Sequence, residues 1–200
     1  MVSDSASAGK GMPMEQQKDP LAWEEIETEH IVQDQWIDFR RTTYRYPDGR
    51  VFAPFYSYTK RDYVVIVASD EAGRYLCVRQ FRQGIRAVTT EFPAGGIEKD
   101  AEGHSEDILE AARRELLEET GYASDEWKHL LSIPSHPTIS DNYAHFFVAR
   151  NCRKVADQSL DETEVLNILH YTAAQIEDLI ARGDFQQPDH VAAWLLSLRR

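Results

Sequence analysis

The segment Arg114-Glu115-Leu116-Leu117-Glu118-Glu119-Thr120-Gly121-Tyr122 constrains this chain more than any other part of it. Its three glutamates stand at positions i, i+3 and i+4 of a predicted helix that a glycine closes, which gathers their carboxylates on one face. Three like charges so close repel one another and resist ionising together unless a cation lies among them. A hard divalent metal with oxygen ligands suits such a group, with Mg²⁺ preferred and Mn²⁺ as a substitute.

A solvated helix face with ordinary salt bridges is the alternative explanation, in which Arg114 pairs with Glu110 and Glu118 at i,i+4 spacing. Helical geometry counts against it. At about 100° per residue, the apolar Ile108 and Ala112 lie on the same side as the three glutamates. The acids therefore extend a stripe that faces the protein, and charged groups there need a partner such as a metal ion.

The order Arg-Glu-apolar-x-Glu-Glu-x-Gly-apolar in residues 114–122 resembles the core of the Nudix box. Glu106 stands eight residues before Arg114, as the box requires, and residues 91–98 resemble the strand and turn that lead into the box in ADP-ribose pyrophosphatases. The box normally opens with a glycine six residues before its first glutamate, but Gly96 lies ten residues before Glu106. Because Gly96 and Glu102 do have that separation, either Glu102 or Glu106 can be the first glutamate.

The resemblance extends over residues 36–181 and implies both a fold and a function. The fold is α/β, a Nudix-type α/β/α sandwich with a mixed sheet and an N-terminal β-strand extension. The function is metal-dependent hydrolysis of the diphosphate linkage of ADP-ribose or a related nucleoside diphosphate sugar, giving a nucleoside monophosphate and a sugar phosphate. The alternatives are hydrolysis of another nucleotide sugar or of a dinucleotide, and a non-catalytic nucleotide-sensing module, which need not retain all three glutamates.

Individual roles follow from the residues and from the resemblance. Glu115, Glu118 and Glu119 are the predicted carboxylate ligands of the metal, and the resemblance adds the backbone carbonyl of Ala94. Arg114 carries a fork of donors that can hold neighbouring carboxylates in a fixed orientation, so its predicted contribution to catalysis is indirect.

Substrate contacts are implied at two places. Arg82 matches the strand-end arginine that meets a substrate phosphate in the family, and Arg79 adds positive charge nearby; ion pairing with a surface acid is the alternative. Trp36 occupies the place of a base-stacking tryptophan in related ADP-ribose hydrolases, and Phe55 or Tyr56 would form the opposite wall. Core or interface packing is the alternative for these rings.

A general base is expected on the polar, loop-like segment that ends at residue 164. The resemblance places the candidate base of the family near the start of the strand that follows. Glu164 is the first choice and Glu162 the second, because an acid on this loop can swing towards the metal. Solvated loop acids without a catalytic role are the alternative.

Length and composition set the broad class of the protein. Two hundred residues, 42% of them hydrophobic, suffice for one substantial core. We therefore predict a flexible tail over residues 1–20, N-terminal strands for dimerisation and base binding over residues 21–60, and a Nudix catalytic domain over residues 61–200. The formal net charge of −12 argues against broad binding of nucleic acid, which needs Lys and Arg to neutralise phosphates.

Cellular context follows from the cysteines and the hydropathy pattern. Cys77 and Cys152 lack a nearby partner or metal-ligand spacing, which favours a reducing compartment. No apolar run approaches the roughly 18 residues that span a bilayer, and the N-terminus lacks the pattern of a secretory signal. We expect a cytoplasmic protein without membrane contact, and the resemblance implies a homodimer with shared pockets.

Local patterns predict the elements. Strands are expected at residues 31–40, 51–58, 63–68, 75–78, 91–93, 129–133, 143–149 and 165–171. Residues 94–96 are expected to form a turn. The box helix is predicted over residues 106–120, with Ser105 as its N-cap and Gly121 at its C-terminal end. Thr172 and Gln175 predict a capping box that opens a second helix, and residues 192–198 predict a third.

Overall fold

The computed structural model describes residues 19–162 and 164–199. These residues fall into two compact units, one ending at Tyr58 and the other beginning at Thr59. Residues 1–18, which make up most of the predicted tail, lie outside the described part of the chain.

The first unit is built on a sheet of three strands in the order β1-β2-β3, namely β1 (Glu24–Gln33), β2 (Asp38–Arg45) and β3 (Val51–Thr59), with β1 antiparallel to β2. The predicted strand over residues 31–40 is wrong. Its first part ends β1, its last part begins β2, and Asp34 turns the chain between them by accepting hydrogen bonds from the backbone N–H groups of Trp36 and Ile37. The chain turns again between β2 and β3, where the backbone N–H of Gly49 donates to the carbonyl of Tyr46.

The second unit contains a mixed sheet of eight strands. The strands are β4 (Tyr63–Asp70), β5 (Tyr75–Arg82), β6 (Ala87–Glu91), β7 (Ala94–Gly96), β8 (Tyr122–Ala123), β9 (Glu126–Pro134), β10 (Tyr143–Lys154) and β11 (Leu166–Tyr171). The main path of the sheet runs β11-β5-β4-β10-β8, and β6, β7 and β9 pair with β5, β4 and β10 respectively. The parallel pairing of β4 with β10 makes the sheet mixed. The predicted turn at residues 94–96 is instead the short strand β7, antiparallel to β4.

Helices cover both faces of this sheet, and β4 shows why. Its side chains alternate, so Val65 and Val67 join one hydrophobic cluster while Val64 and Ile66 join another. The first cluster includes residues of α2 (Ala173–Arg182) and α3 (Pro188–Ser197), and the second includes residues of α1 (Ile108–Thr120). The second unit is therefore an α/β/α sandwich, as the sequence predicted.

The helix ends agree with the sequence in part. Gly121 adopts the left-handed conformation with φ 72° at the end of α1, and the capping box of Thr172 and Gln175 opens α2, both as predicted. Ser105 does not cap α1. The N-cap is Asp107, whose carboxylate accepts from the backbone N–H groups of Leu109 and Glu110. The third helix begins at Pro188, four residues before the predicted start, because proline is well suited to a first helical position.

Among the described residues, no helix has the length and apolar character needed to cross a membrane.

Candidate active site

Helix α1 aims two of the three glutamates that follow Arg114 into the protein. Ala111, Ala112 and Leu116 are fully buried against the sheet, which fixes the rotation of the helix about its axis. Glu115 and Glu119, on the same side, are only 7% and 2% exposed, whereas the Glu118 side chain is 41% exposed. The solvated-face explanation is therefore wrong for Glu115 and Glu119.

One guanidinium organises the acids around it. Nη1 of Arg114 donates to Oε1 of Glu115 at 2.8 Å and to Oε2 of Glu118 at 3.0 Å. Its Nη2 donates to Oε2 of Glu106 at 2.9 Å and to the carbonyl of Gly96 at 2.9 Å, and Nε reaches Oε1 of Glu106 at 3.2 Å. Arg114 thus ties three carboxylates of the helix region to strand β7, which is the orienting arrangement that the sequence suggested.

These contacts decide between Glu102 and Glu106 as the first glutamate of the box. Glu106 binds Arg114 through both of its oxygens. Glu102 lies exposed in a small hairpin. In this hairpin the main chains of Lys99 and Ser105 form an antiparallel β-bridge, and the backbone N–H of Gly103 donates to the carbonyl of Asp100. The extra residues of the sequence form this hairpin and leave the packing of Glu106 on Arg114 intact.

Strand β7 passes directly beneath the acids. Oε2 of Glu119 accepts from the backbone N–H of Ala94 at 3.0 Å. The Glu115 carboxylate lies against Gly95, so closely that a Cβ atom at Gly95 would overlap it. Any side chain at position 95 would therefore have to displace the Glu115 carboxylate. The Ala94 main chain, whose carbonyl is a predicted ligand, is adjacent to both carboxylates.

Burial and like charges act together on these acids. Burial raises the pKa of Glu115 to about 7. The charges of Glu118 and Glu164 also raise this pKa, whereas the nearby Arg114 guanidinium lowers it. Burial also raises the pKa of Glu119 well above its usual value, opposed by the Ala94 N–H and reinforced by Glu115 and Glu164. A bound cation would relieve this repulsion.

The oxygen donors fit a hard divalent cation in chemistry. In the described part of the chain, no three His, Cys, Asp or Glu side chains are already arranged as a ligand group. Arg114 holds one oxygen each of Glu115 and Glu118, and the other oxygen of each carboxylate is not used by that guanidinium. The fit therefore rests on the donor type and on the crowding of buried acids.

Arg82 and Arg79 lie on opposite faces of β5, because residues three apart on a strand point in opposite directions. Arg82 pairs with the fully buried Glu91, and the charges of Glu119 and Glu164 also act on it. Arg79 is exposed. Sequence reasoning missed Glu91 as the partner of Arg82, because it assigned this acid only to the strand leading into the box.

The loop after β10 brings Glu164 to the acids of α1. The side-chain amide of Gln158 donates to the carbonyl of Glu119 at 2.6 Å, and the backbone N–H of Ser159 donates to the carbonyl of Glu118 at 2.9 Å. Glu164 is partly buried, and its Oε2 accepts from the backbone N–H of Asp161 at 3.1 Å. Since Glu164 raises the pKa of Glu115 and Glu119, it is the better placed of the two base candidates; Glu162 is exposed.

The predicted base-stacking residues belong to the first unit. Trp36 is 70% exposed in the turn between β1 and β2. Phe55 packs in an aromatic cluster with Trp23, Tyr44 and Phe52, at ring-centroid distances of 5.2–5.6 Å. Tyr56 stacks on Phe39 at 5.7 Å. The exposure of Trp36 is compatible with stacking on a ligand, whereas Phe55 is engaged in packing.

The chain is similar in sequence to a known protein family and to several named proteins. A family model described as the NUDIX domain matches residues 59–195. The methanol dehydrogenase activator of Bacillus methanolicus is 28% identical over 154 residues, which cover 74% of this chain and 77% of that protein. The ADP-ribose pyrophosphatase of Bacillus subtilis (strain 168) is 30% identical over 110 residues, covering 54% of this chain and 57% of that protein.

Two further comparisons concern ADP compounds hydrolases. The protein named ADP compounds hydrolase NudE, from Escherichia coli (strain K12), is 26% identical over 138 residues, which cover 69% of this chain and 70% of that protein. A crystal structure described as that of an ADP compounds hydrolase superposes with a TM-score of 0.74 at 22% identity, covering 88% of this chain and 91% of the other. The structural likeness supports the same fold.

Proposed function

This chain belongs to the Nudix family and is a hydrolase, and on that premise we propose that it cleaves the diphosphate linkage of ADP-ribose or a closely related nucleoside diphosphate sugar with the help of Mg²⁺. The products would be a nucleoside monophosphate and a sugar phosphate. The observation that carries the proposal is the packing of Glu115 and Glu119 against strand β7, with Arg114 holding Glu115, Glu118 and Glu106 together.

Substrate class is supported by two relatives whose names state their substrates. One is called an ADP-ribose pyrophosphatase and the other an ADP compounds hydrolase. Trp36 supports the same class, because an exposed indole offers a flat face for a nucleobase. Arg82 lies among the acids of the site, where one guanidinium can bind a phosphate oxygen.

Glu115, Glu118 and Glu119, with the Ala94 carbonyl, would hold the cation. When bound, such an ion withdraws charge from phosphate oxygens and makes a water molecule more acidic. Arg114 keeps the carboxylates in register, and the buried setting of Glu115 and Glu119 excludes bulk water from that side. We propose that Glu164 accepts the proton of the attacking water, since its charge reaches both of these acids and its loop is tied to the end of α1.

We also propose a homodimer and a cytoplasmic location. The first unit exposes several large apolar side chains, including Ile26, Ile31, Val32 and Phe52 at 43–53%, and a second copy of the chain would cover them. Cys77 and Cys152 are free thiols, which suits a reducing compartment. Light scattering coupled to size-exclusion chromatography tests the dimer; a monomeric mass at micromolar concentration would contradict it.

The decisive experiment is a phosphate-release screen over ADP-ribose, other nucleotide sugars and dinucleotides. Each reaction contains Mg²⁺ and is followed by phosphatase, which releases phosphate from newly formed phosphomonoesters. We expect the highest kcat/KM with ADP-ribose and loss of turnover when EDTA removes the cation. Preference for a dinucleotide would change the substrate class. Tight binding without turnover of any compound would favour a nucleotide sensor instead.

A further inference from the structure

We propose that Glu91 is a positioning residue that holds the Arg82 guanidinium in the active site, and that Thr89 and Gln187 fix Glu91 in turn. The inference rests on the proposed function, because its activity test uses a diphosphate substrate. It adds a residue outside the metal-binding helix to the machinery of the reaction.

The ion pair itself is two-pronged and largely desolvated. Nε of Arg82 donates to Oε1 of Glu91 at 2.9 Å and to Oε2 at 3.1 Å, and Nη2 donates to Oε2 at 2.5 Å. The Glu91 side chain is fully buried, while the Arg82 side chain retains 34% exposure. Two parallel bonds to one carboxylate fix the plane of a guanidinium as well as its position. Glu91 therefore sets the direction in which Arg82 faces.

The carboxylate of Glu91 is itself held from two sides. The hydroxyl of Thr89, two residues earlier on β6, donates to Oε1. The side-chain amide of Gln187, the N-cap residue of α3, approaches the same oxygen at 3.4 Å. Next to this pair, the backbone N–H of Phe92 donates to Nδ1 of the buried His190, also on α3, at 3.1 Å. Hydrogen bonds from strand β6 and from the start of α3 thus fix the Glu91 carboxylate in place.

Glu91 holds Arg82 next to the acids of α1, because the backbone N–H of Ala94, three residues after Glu91, donates to Oε2 of Glu119 at 3.0 Å. Burial works against the charged form of Arg82, but its pKa is raised because hydrogen bonds and charge from Glu91, together with the charges of Glu119 and Glu164, outweigh burial. The bonds to Glu91 use Nε and Nη2, which leaves Nη1 to meet another acceptor. A phosphate oxygen of a substrate lying between Arg82 and the acids of α1 is such an acceptor.

An isosteric substitution separates positioning from packing. Glu91→Gln keeps the shape of the side chain but removes its charge, so a packing role predicts unchanged activity. Positioning predicts that kcat/KM falls about 10- to 100-fold, because a small displacement of a substrate-orienting group is costly. Glu91→Asp shortens the side chain but keeps the carboxylate, and we expect it to retain more activity than Glu91→Gln. The opposite order would overturn the proposal.

A double-mutant cycle shows whether Glu91 acts through Arg82. The variants are Arg82→Gln, Glu91→Gln and the pair together, each compared with the parent in kcat/KM and in thermal unfolding. We expect the double variant to match Arg82→Gln in kcat/KM and to be more stable than it, because the orphaned buried carboxylate is gone. Equal losses from Glu91→Gln on both backgrounds would overturn the proposal.

Gln187→Ala tests the same proposal if the Glu91 variants do not fold. It removes one donor from Glu91, and we expect a loss of about two- to fivefold in kcat/KM that disappears on the Arg82→Gln background. Gln186→Ala, at the exposed neighbouring position, is the matched control and should equal the parent. Identical activity of Gln187→Ala and Gln186→Ala, with the Glu91 variants unfolded, would overturn the proposal.

A binding measurement distinguishes failure of this inference from failure of the proposed function. Calorimetry with α,β-methylene-ADP and Mg²⁺ reports on diphosphate contact without turnover. If the parent hydrolyses nothing in the screen yet binds this compound, the substrate assignment fails alone, and the cycle is read in Kd with the same expected coupling. If the parent binds the compound and Arg82→Gln binds it equally well, Arg82 makes no diphosphate contact and the inference fails.

Discussion

The carboxylate of Glu115 rests directly on the backbone of Gly95, in space that a Cβ atom would fill. This contact joins an acid of α1 to strand β7. Adding a single methyl group at position 95 therefore tests the contact.

Gly95→Ala should displace the Glu115 carboxylate and lower kcat/KM by about 100-fold, because an orienting contact in the site is lost. Gly84→Ala is the matched control, since a Cβ atom there meets nothing within 4 Å. Steady-state kinetics with ADP-ribose and circular dichroism of both variants check this. Full activity of Gly95→Ala would show that Glu115 moves without consequence.

Glu118→Gln should lower kcat/KM by about 100-fold at saturating Mg²⁺ because it removes a predicted ligand charge. Its side chain is 41% exposed, so we expect the fold to be kept. Glu110→Gln on the same helix changes an acid that pairs with Arg113 at the surface and should leave kinetics unchanged. Hydrolysis by Glu118→Gln at the parent rate would contradict the metal role of this residue.

Glu164→Gln should reduce kcat by about 100-fold or more, since general-base catalysis contributes a factor of this size. Glu162→Gln, two residues earlier and exposed, should stay within about threefold of the parent. The measurement is kcat as a function of pH for both variants. A large loss in Glu162→Gln with little change in Glu164→Gln would reverse the assignment of the base.

Trp36→Ala should raise KM for ADP-ribose by about tenfold, because stacking of a base on an aromatic ring contributes roughly 1–3 kcal/mol. Trp36→Phe keeps a ring and should fall between the variant and the parent. Leu21→Ala removes another exposed apolar side chain of the same unit, 78% exposed, and serves as the control. An unchanged KM in Trp36→Ala would place the base elsewhere.

The buried His190 should make stability depend on pH. Burial lowers its pKa to about 4 from an ordinary value of 6.5, so the unfolded chain takes up a proton at a higher pH than the folded protein. Its contribution is therefore complete above pH 6.5 and is lost as the pH falls towards 4. A pKa lowered from 6.5 to about 4 corresponds to roughly 3 kcal/mol in the free energy of unfolding between low and neutral pH.

His190→Asn tests this dependence, because the amide oxygen can accept the hydrogen bond from the Phe92 N–H but does not titrate in this range. Urea unfolding of parent and variant at several pH values between 7 and 4.5 gives the comparison. We expect a shallower decline in the variant. Parallel curves would show that His190 is not the group responsible.

Local patterns were enough for much of this protein. The spacing of glutamates and alanines predicted that α1 faces inwards, because helical periodicity fixes which residues share a face. The glycine at position 121 and the Thr172–Gln175 pair ended one helix and began another by short-range hydrogen bonds. The resemblance then supplied the fold, which the family match and the α/β/α layering confirm.

Local competition explains the nearby errors. Ser105 and Asp107 are both good capping residues, and the bridge of Ser105 to Lys99 holds it in the hairpin, which leaves Asp107 to cap α1. The pattern over residues 31–40 resembles one strand because its polar turn is short. The Asp34 carboxylate and a backbone hydrogen bond from the Asp34 N–H to the carbonyl of Ile37 close this turn.

The amino-acid sequence by itself determined the identity of the acids, the face of α1 that carries them and most of the strand order in the chain. Only the tertiary structure decided which acid meets which partner: Glu106 rather than Glu102 on Arg114, Glu91 on Arg82, and Gln158 on the end of α1. The physical reason is the distance along the chain over which each kind of interaction acts. Periodicity and capping act over a few residues, whereas these pairs are set by how the sheet and its helices pack, which no short segment encodes.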